Sequence, residues 1–110
     1  MKALIIALAM LLPVVGMAAE QTISFEVSGN CNSCRKKIVK AAEKVDGVEE
    51  ADWDSKTKKF TATFDDEVAS KATIVKAILK AGYDVGEEKG DDKAYSRLPD
   101  CCQYRDRSHD

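Results

Sequence analysis

An excess of charge of one sign is missing from this sequence. Lys and Arg total 17 against 19 Asp and Glu, a formal net charge of −2. That balance does not point to nucleic acid, whose binding depends on a dominant basic surface. Long apolar runs are missing as well, and the one at residues 3–12 is too short to cross a bilayer comfortably as a helix. No cysteine closes that run, so nothing indicates lipid attachment there. Internal repeats are absent, and 110 residues suit one domain. Histidine occurs once, at His109 near the end of the chain, and is assigned no role. There is no second C-x-x-C, so a four-ligand zinc site would lack half its usual donors.

The start of the chain has the pattern of an export signal. Lys2 supplies positive charge, residues 3–12 an apolar stretch and Pro13 a break, and Gly16, Ala18 and Ala19 are the small residues of a cleavage site. Residues 1–18 are expected to be a signal peptide cut near Ala18, with Ala19 as the alternative site and an uncleaved anchor as the competing reading. The mature chain is then periplasmic or otherwise exported, with 16 basic and 19 acidic residues and a charge of −3. Residues 19–88 are expected to form the folded domain and 89–110 a flexible tail. All four cysteines fall in the mature part: Cys31 and Cys34 form a C-x-x-C, and Cys101 and Cys102 are adjacent. An oxidising compartment favours pairing of thiols, and spacing alone does not choose the partners.

Along the domain, Ile23, Phe25 and Val27 alternate with polar residues and predict a half-buried strand over 21–27. Cys34, Ile38, Ala41, Ala42 and Val45 recur at helical spacing, with Ser33 as a plausible N-cap and Gly47 as a stop. A hairpin follows, from strand 48–53 through the turn Asp54-Ser55-Lys56-Thr57 to the alternating Phe60, Ala62 and Phe64. Val68, Ala72, Val75 and Leu79, broadened by Ile74 and Ile78, predict a second helix ended by Gly82. Residues 83–87 complete the pattern as a last strand. The order βαββαβ predicts an α+β, ferredoxin-like sandwich, with a four-stranded antiparallel sheet and two helices on one face.

On this pattern Cys31 lies in a loop and Cys34 in the first helical turn. Backbone N–H groups and the positive end of the helix dipole favour thiolate there. Arg35, Lys36 and Lys37 follow at once. Three cations are unfavourable in a bare first turn but offset the charge of two thiolates; they also fit a solvated basic face. Two thiolates suit soft ions satisfied by few ligands, Cu(I) or Hg(II), better than zinc. Three other readings stay open: a structural disulfide, a thioredoxin-like thiol–disulfide oxidoreductase, and half of a zinc site completed by Cys101 and Cys102.

Three segments carry a resemblance. Gly29-Asn30-Cys31-Asn32-Ser33-Cys34 after the first strand, Val45-Asp46-Gly47-Val48 after the first helix and Ala81-Gly82-Tyr83-Asp84-Val85 after the second are similar to heavy-metal-associated domains. That family includes copper chaperones, N-terminal domains of metal-exporting P-type ATPases and periplasmic mercury-binding members. A leader followed by one free-standing domain looks most like the last. The resemblance implies a carrier and not an enzyme, with Cys31 and Cys34 as ligands of one Hg(II) or Cu(I) and Tyr83 close to the metal loop. It further implies a monomer that passes its ion to a membrane transporter bearing a cysteine pair. Two departures stand out. Gly29 replaces a methionine that normally packs under the loop, implying a looser loop or another filling residue. Cys101 and Cys102 extend beyond the family domain, where an adjacent pair can take a soft metal, close a vicinal disulfide or link to the first pair.

Overall fold

A computed structural model describes residues 20–105; the expected signal peptide, its cleavage point and His109 lie outside the described residues. The elements are β1 (Glu20–Glu26), α1 (Asn32–Glu43), β2 (Val48–Trp53), β3 (Lys59–Asp65), α2 (Lys71–Lys80), α3 (Asp92–Ser96) and a 3₁₀ turn at Asp100–Cys102. Strand β3 is central and runs antiparallel to β1 on one side and β2 on the other. Register sets Phe60 opposite both Phe25 and Trp53, and Ala62 opposite both Ile23 and Ala51. The Phe25 and Phe60 rings meet with centroids 4.9 Å apart. Phe60, Ala62 and Phe64 are buried. The intervening Thr61 and Thr63 face the other way, pairing hydroxyls with Ser24 and Thr22 at 3.2 and 3.0 Å. Period-two alternation thus separates a core face from a wet one.

The helices cover the core face. α1 packs against β2 and α2, burying Cys34, Ile38 and Ala42, while α2 buries Ile74 and Ile78. Each large apolar side chain taken fully out of water contributes about 1.5–3 kcal/mol. The buried stripe of α2 is narrower than its spacing predicts. Val68 precedes the helix and is the exposed large apolar residue of the described chain, and Ala72 is exposed too.

α2 begins with a complete reciprocal cap. The Ser70 hydroxyl accepts from the Thr73 N–H at 3.2 Å, and the Thr73 hydroxyl accepts from the Ser70 N–H at 3.0 Å. Ser70→Ala is expected to cost about 1 kcal/mol, lowering the melting temperature by roughly 4–8 °C in a calorimetric scan. The helix ends in a Schellman arrangement, with Gly82 N–H bonded to Leu79 O at 3.0 Å and Tyr83 N–H to Ile78 O at 3.4 Å. Gly82 sits at φ +100°, in the left-handed region where a Cβ is penalised.

Three expectations are corrected. First, the fourth strand does not form: Val85 makes a single bridge to Val27 and another to Glu88. Gly86, at φ +56°, turns the chain between Val85 and Glu88, whose N–H and C=O groups exchange two 2.9 Å bonds and leave no length to pair along β1. The described sheet therefore has three strands, with a groove lined by Phe25, Val75, Leu79 and Val85 beside β1. Second, Cys31 and not Ser33 is the N-cap of α1. Third, the segment expected as a flexible tail carries α3 and the 3₁₀ turn, with Tyr95 and Cys102 buried. Its anchors are isolated residues in a charged stretch, so they leave no periodic trace in the sequence.

Candidate metal centre

α1 starts in a way that is poor for a helix and good for an anion. Cys31 has the extended backbone of an N-cap but makes no side-chain capping bond, and the first turn holds no acidic residue. The backbone N–H groups of Ser33 and Cys34 instead act on the Cys31 sulfur. Partial burial alone would push the Cys31 thiol up; the N–H groups of Cys34 and Ser33 outweigh this and hold it below the ordinary thiol value. Cys34 is fully buried one turn on, its sulfur accepting from the Asn30 N–H at 3.3 Å. Lys36 and Lys37 are exposed, while Arg35 pairs with Asp52 at 2.8 Å. An exposed pair like that contributes little stability.

Trp53 fills the space beneath the loop. Its indole is 1% exposed and donates to Val27 O at 2.9 Å. A Cβ on Gly29 would lie 3.0 Å from two atoms of the indole ring. The tryptophan of β2 thus fills the volume beside position 29, where the family that the sequence resembles carries a methionine. Lys58, at φ +65°, lies over the same indole at 5.6 Å and donates to Gly29 O at 2.7 Å. The hairpin thus supports the loop from below.

The tail approaches from the other side. The Asn30 side chain donates to Cys101 O at 3.0 Å, and the Cys31 thiol faces the same carbonyl at 3.8 Å. The sulfurs of Cys31, Cys101 and Cys102 all lie within 4.8 Å of one another. All four cysteines are free. Cys102 is fully buried beside Cys34, and that burial pushes its thiol well up. Tyr83 lies under this cluster with Cys34 and Cys102 as its electrostatic neighbours. Its hydroxyl is buried and, among the described residues, has no hydrogen-bond partner; burial pushes its pKa far up.

Aromatic stacking and an arginine clamp hold the tail. The Tyr104 hydroxyl donates to Gly82 O and accepts from Asp84 N–H, both at 2.8 Å, and its ring stacks on Tyr83. Arg105 pairs with Asp84 at 2.7 Å and Asp92 at 2.8 Å and lies over the Tyr95 ring at 4.4 Å. Gly82 makes room for α3, since a Cβ there would come within 2.8 Å of Tyr95 N. Burial of Asp84 favours its neutral acid, but Arg105 and the Gly90 N–H outweigh this and hold the carboxyl below the usual range. A folded value below the unfolded one of about 3.9 gives stability that is complete above that value and is lost as pH falls through the folded value. Exchange protection of the Gly90 amide, bonded to Asp84 at 2.8 Å, is therefore expected to be steady at neutral pH and to collapse in acid below about pH 4. Asp84→Asn is expected to flatten that dependence.

Of the residues expected to matter, the structure brings Cys31, Cys101 and Cys102 into one cluster, with Cys34 and Tyr83 beside it. Asn30, quoted with the C-x-x-C segment, completes the surroundings together with Trp53, Tyr104 and Arg105, which were not singled out. The one available signal was Trp53, the single tryptophan, at the end of a strand leading back toward the loop.

The model of the heavy-metal-associated domain matches residues 24–84. The mercuric transport protein periplasmic component of Pseudomonas fluorescens is 40% identical over 85 residues, 76% of this chain and 93% of that protein. Its counterpart from Shewanella putrefaciens is 41% identical over 68 residues, 61% of this chain and 75% of that protein. Among solved structures, oxidised MerP from Ralstonia metallidurans CH34 superposes with a TM-score of 0.59 at 36% identity, covering 62% of this chain and 96% of that one. The CopZ metallochaperone does so at 0.58 and 27% identity, covering 60% and 100%. Cys101 and Cys102 lie beyond the matched residues, whereas Cys31, Cys34, Trp53 and Tyr83 lie within them, and on that match the chain belongs to the heavy-metal-associated domain family.

Proposed function

We propose that this chain is an exported soft-metal carrier that takes Hg(II) or Cu(I) on the thiolates of Cys31 and Cys34. It passes the ion by ligand exchange to a membrane transporter bearing its own cysteine pair. The observation that carries this reading is the start of α1, where uncapped N–H groups stabilise a half-exposed Cys31 thiolate next to Cys34. Relatives named as periplasmic components of mercuric transport favour Hg(II) and the periplasm; the likeness to a solved structure named as copper-ion-binding keeps Cu(I) in view. The exposed Lys36 and Lys37 near the start of α1 suit docking to an acidic partner surface, acting on encounter rate more than on final affinity.

Transfer needs neither a general base nor an open catalytic water. An incoming thiolate adds to the ion, a three-coordinate intermediate forms, and one original sulfur leaves and takes up a proton. Mixing the Hg(II)-loaded chain with a soluble segment carrying a transporter-type cysteine pair tests this. Transfer should be first order in acceptor and unaffected by a chelator of free ion. A rate independent of acceptor, equal to spontaneous release, would overturn it.

A further inference from the structure

Resting on that carrier reading, we propose a second donor set in this chain: Cys31, Cys101 and Cys102 together form a trithiolate site that holds a soft divalent ion in three-coordination. The three sulfurs already lie within 4.8 Å of one another, with Cys101 and Cys102 at 4.0 Å. Metal–thiolate bonds of about 2.3 Å, or slightly longer for a larger ion, place three sulfurs about 4 Å apart around a trigonal centre. Closing the cluster on an ion thus takes a contraction of less than about 1 Å. Rotation of exposed Cys101 and half-exposed Cys31 supplies it, with Cys102 fixed in the interior.

The tail is placed by contacts independent of the thiols. Asn30 holds the Cys101 carbonyl, Tyr104 is bonded to Gly82 and Asp84, and Arg105 is tied to Asp84, Asp92 and Gly90. A buried phenol set against the cluster provides a second, separate observation. The Tyr83 hydroxyl lies near the sulfurs of Cys34 and Cys102, and a metal-bound Cys102 thiolate would be a stronger acceptor for it than a neutral thiol. Binding balances as one divalent ion plus three thiols giving a monoanionic trithiolate complex and three protons; nothing is oxidised or reduced. Cys31 belongs to both donor sets, so the ion can move between Cys34 and the tail pair without leaving it.

X-ray absorption at the mercury edge tests this on the anaerobically reduced full chain loaded with one equivalent of Hg(II). Wild type and Cys34→Ser should each show three sulfurs. Cys101→Ser, at an exposed position that spares the buried Cys102, should show two, with shorter Hg–S bonds. Competition with a monothiol should then reveal about a tenfold loss of affinity in Cys101→Ser. Two sulfurs in wild type, three retained in Cys101→Ser, or two in Cys34→Ser would each overturn the trithiolate site. None of those outcomes touches the carrier reading, which instead fails if Cys31→Ser/Cys34→Ser binds Hg(II) as tightly as wild type.

Discussion

Cys31→Ser is expected to weaken Hg(II) binding by the reduced full chain roughly a thousandfold or more, about 4 kcal/mol in binding free energy. The effect is large because Cys31 has no substitute. It is the N-cap of α1, it faces the N–H groups that favour thiolate, and its sulfur is the one shared with the tail cluster. A serine hydroxyl is isosteric enough to keep the cap, and even improves it, since serine is a preferred N-cap while cysteine makes no capping bond here. Stability should therefore hold or rise slightly while metal affinity falls. Opposite signs for the two measurements separate loss of a ligand from loss of fold. Cys34→Ser is expected to cost less affinity, because Cys101 and Cys102 remain beside Cys31. It should cost more stability, because it buries a hydroxyl at a fully enclosed position. Isothermal titration against a competing thiol, paired with thermal melts, reads both quantities.

Trp53→Ala is expected to destabilise the protein by about 3–5 kcal/mol, lowering the melting temperature by at least about 12 °C. The indole is 1% exposed, sits opposite Phe60 in the sheet, and bonds Val27 O at the point where β1 gives way to the loop that leads to Cys31. Its removal leaves a cavity under Gly29 and frees a buried carbonyl. Adding methionine at position 29 to the wild type should also destabilise, since even its Cβ would lie 3.0 Å from the indole and 3.3 Å from the Cys34 Cβ. In the Trp53→Ala background the same methionine has a cavity to enter. The double variant should therefore be more stable than the two single losses predict, by a coupling of about 0.5–3 kcal/mol. Additive losses would show that Trp53 does not stand in for the methionine.

Much of this was legible before any coordinates. The alternation at Phe60, Ala62 and Phe64, the helical spacing of Cys34, Ile38 and Ala42, and the C-x-x-C at a helix start are periodic or local signals. Local physics fixes such features. What escaped notice was non-local. A last strand was expected where Gly86 instead turns the chain after one bridge, because a positive φ four residues after Gly82 leaves no mark on hydrophobic pattern. The docking of residues 91–105 depends on Tyr95, Tyr104 and Arg105 meeting Asp84 and Gly82 across a stretch of charged residues. No spacing rule joins those positions. Of the two alternatives at Gly29, a looser loop or another filling residue, the second holds, but the sequence could not name the residue, since Trp53 lies 24 positions downstream on another strand. The adjacency of Cys101 and Cys102 left soft-metal binding, a vicinal disulfide and a link to the first pair open, and only the fold brought that pair to Cys31.

If the ion rests on the thiols at the start of α1, removing both from that helix removes tight binding. Equilibrium dialysis of the reduced full chain and of Cys31→Ser/Cys34→Ser, each against limiting Hg(II) with excess monothiol, measures this directly. Wild type should retain close to one ion per chain and the double variant almost none. Near-stoichiometric retention by the double variant would contradict the assignment of Cys31 and Cys34 as the metal-capturing pair.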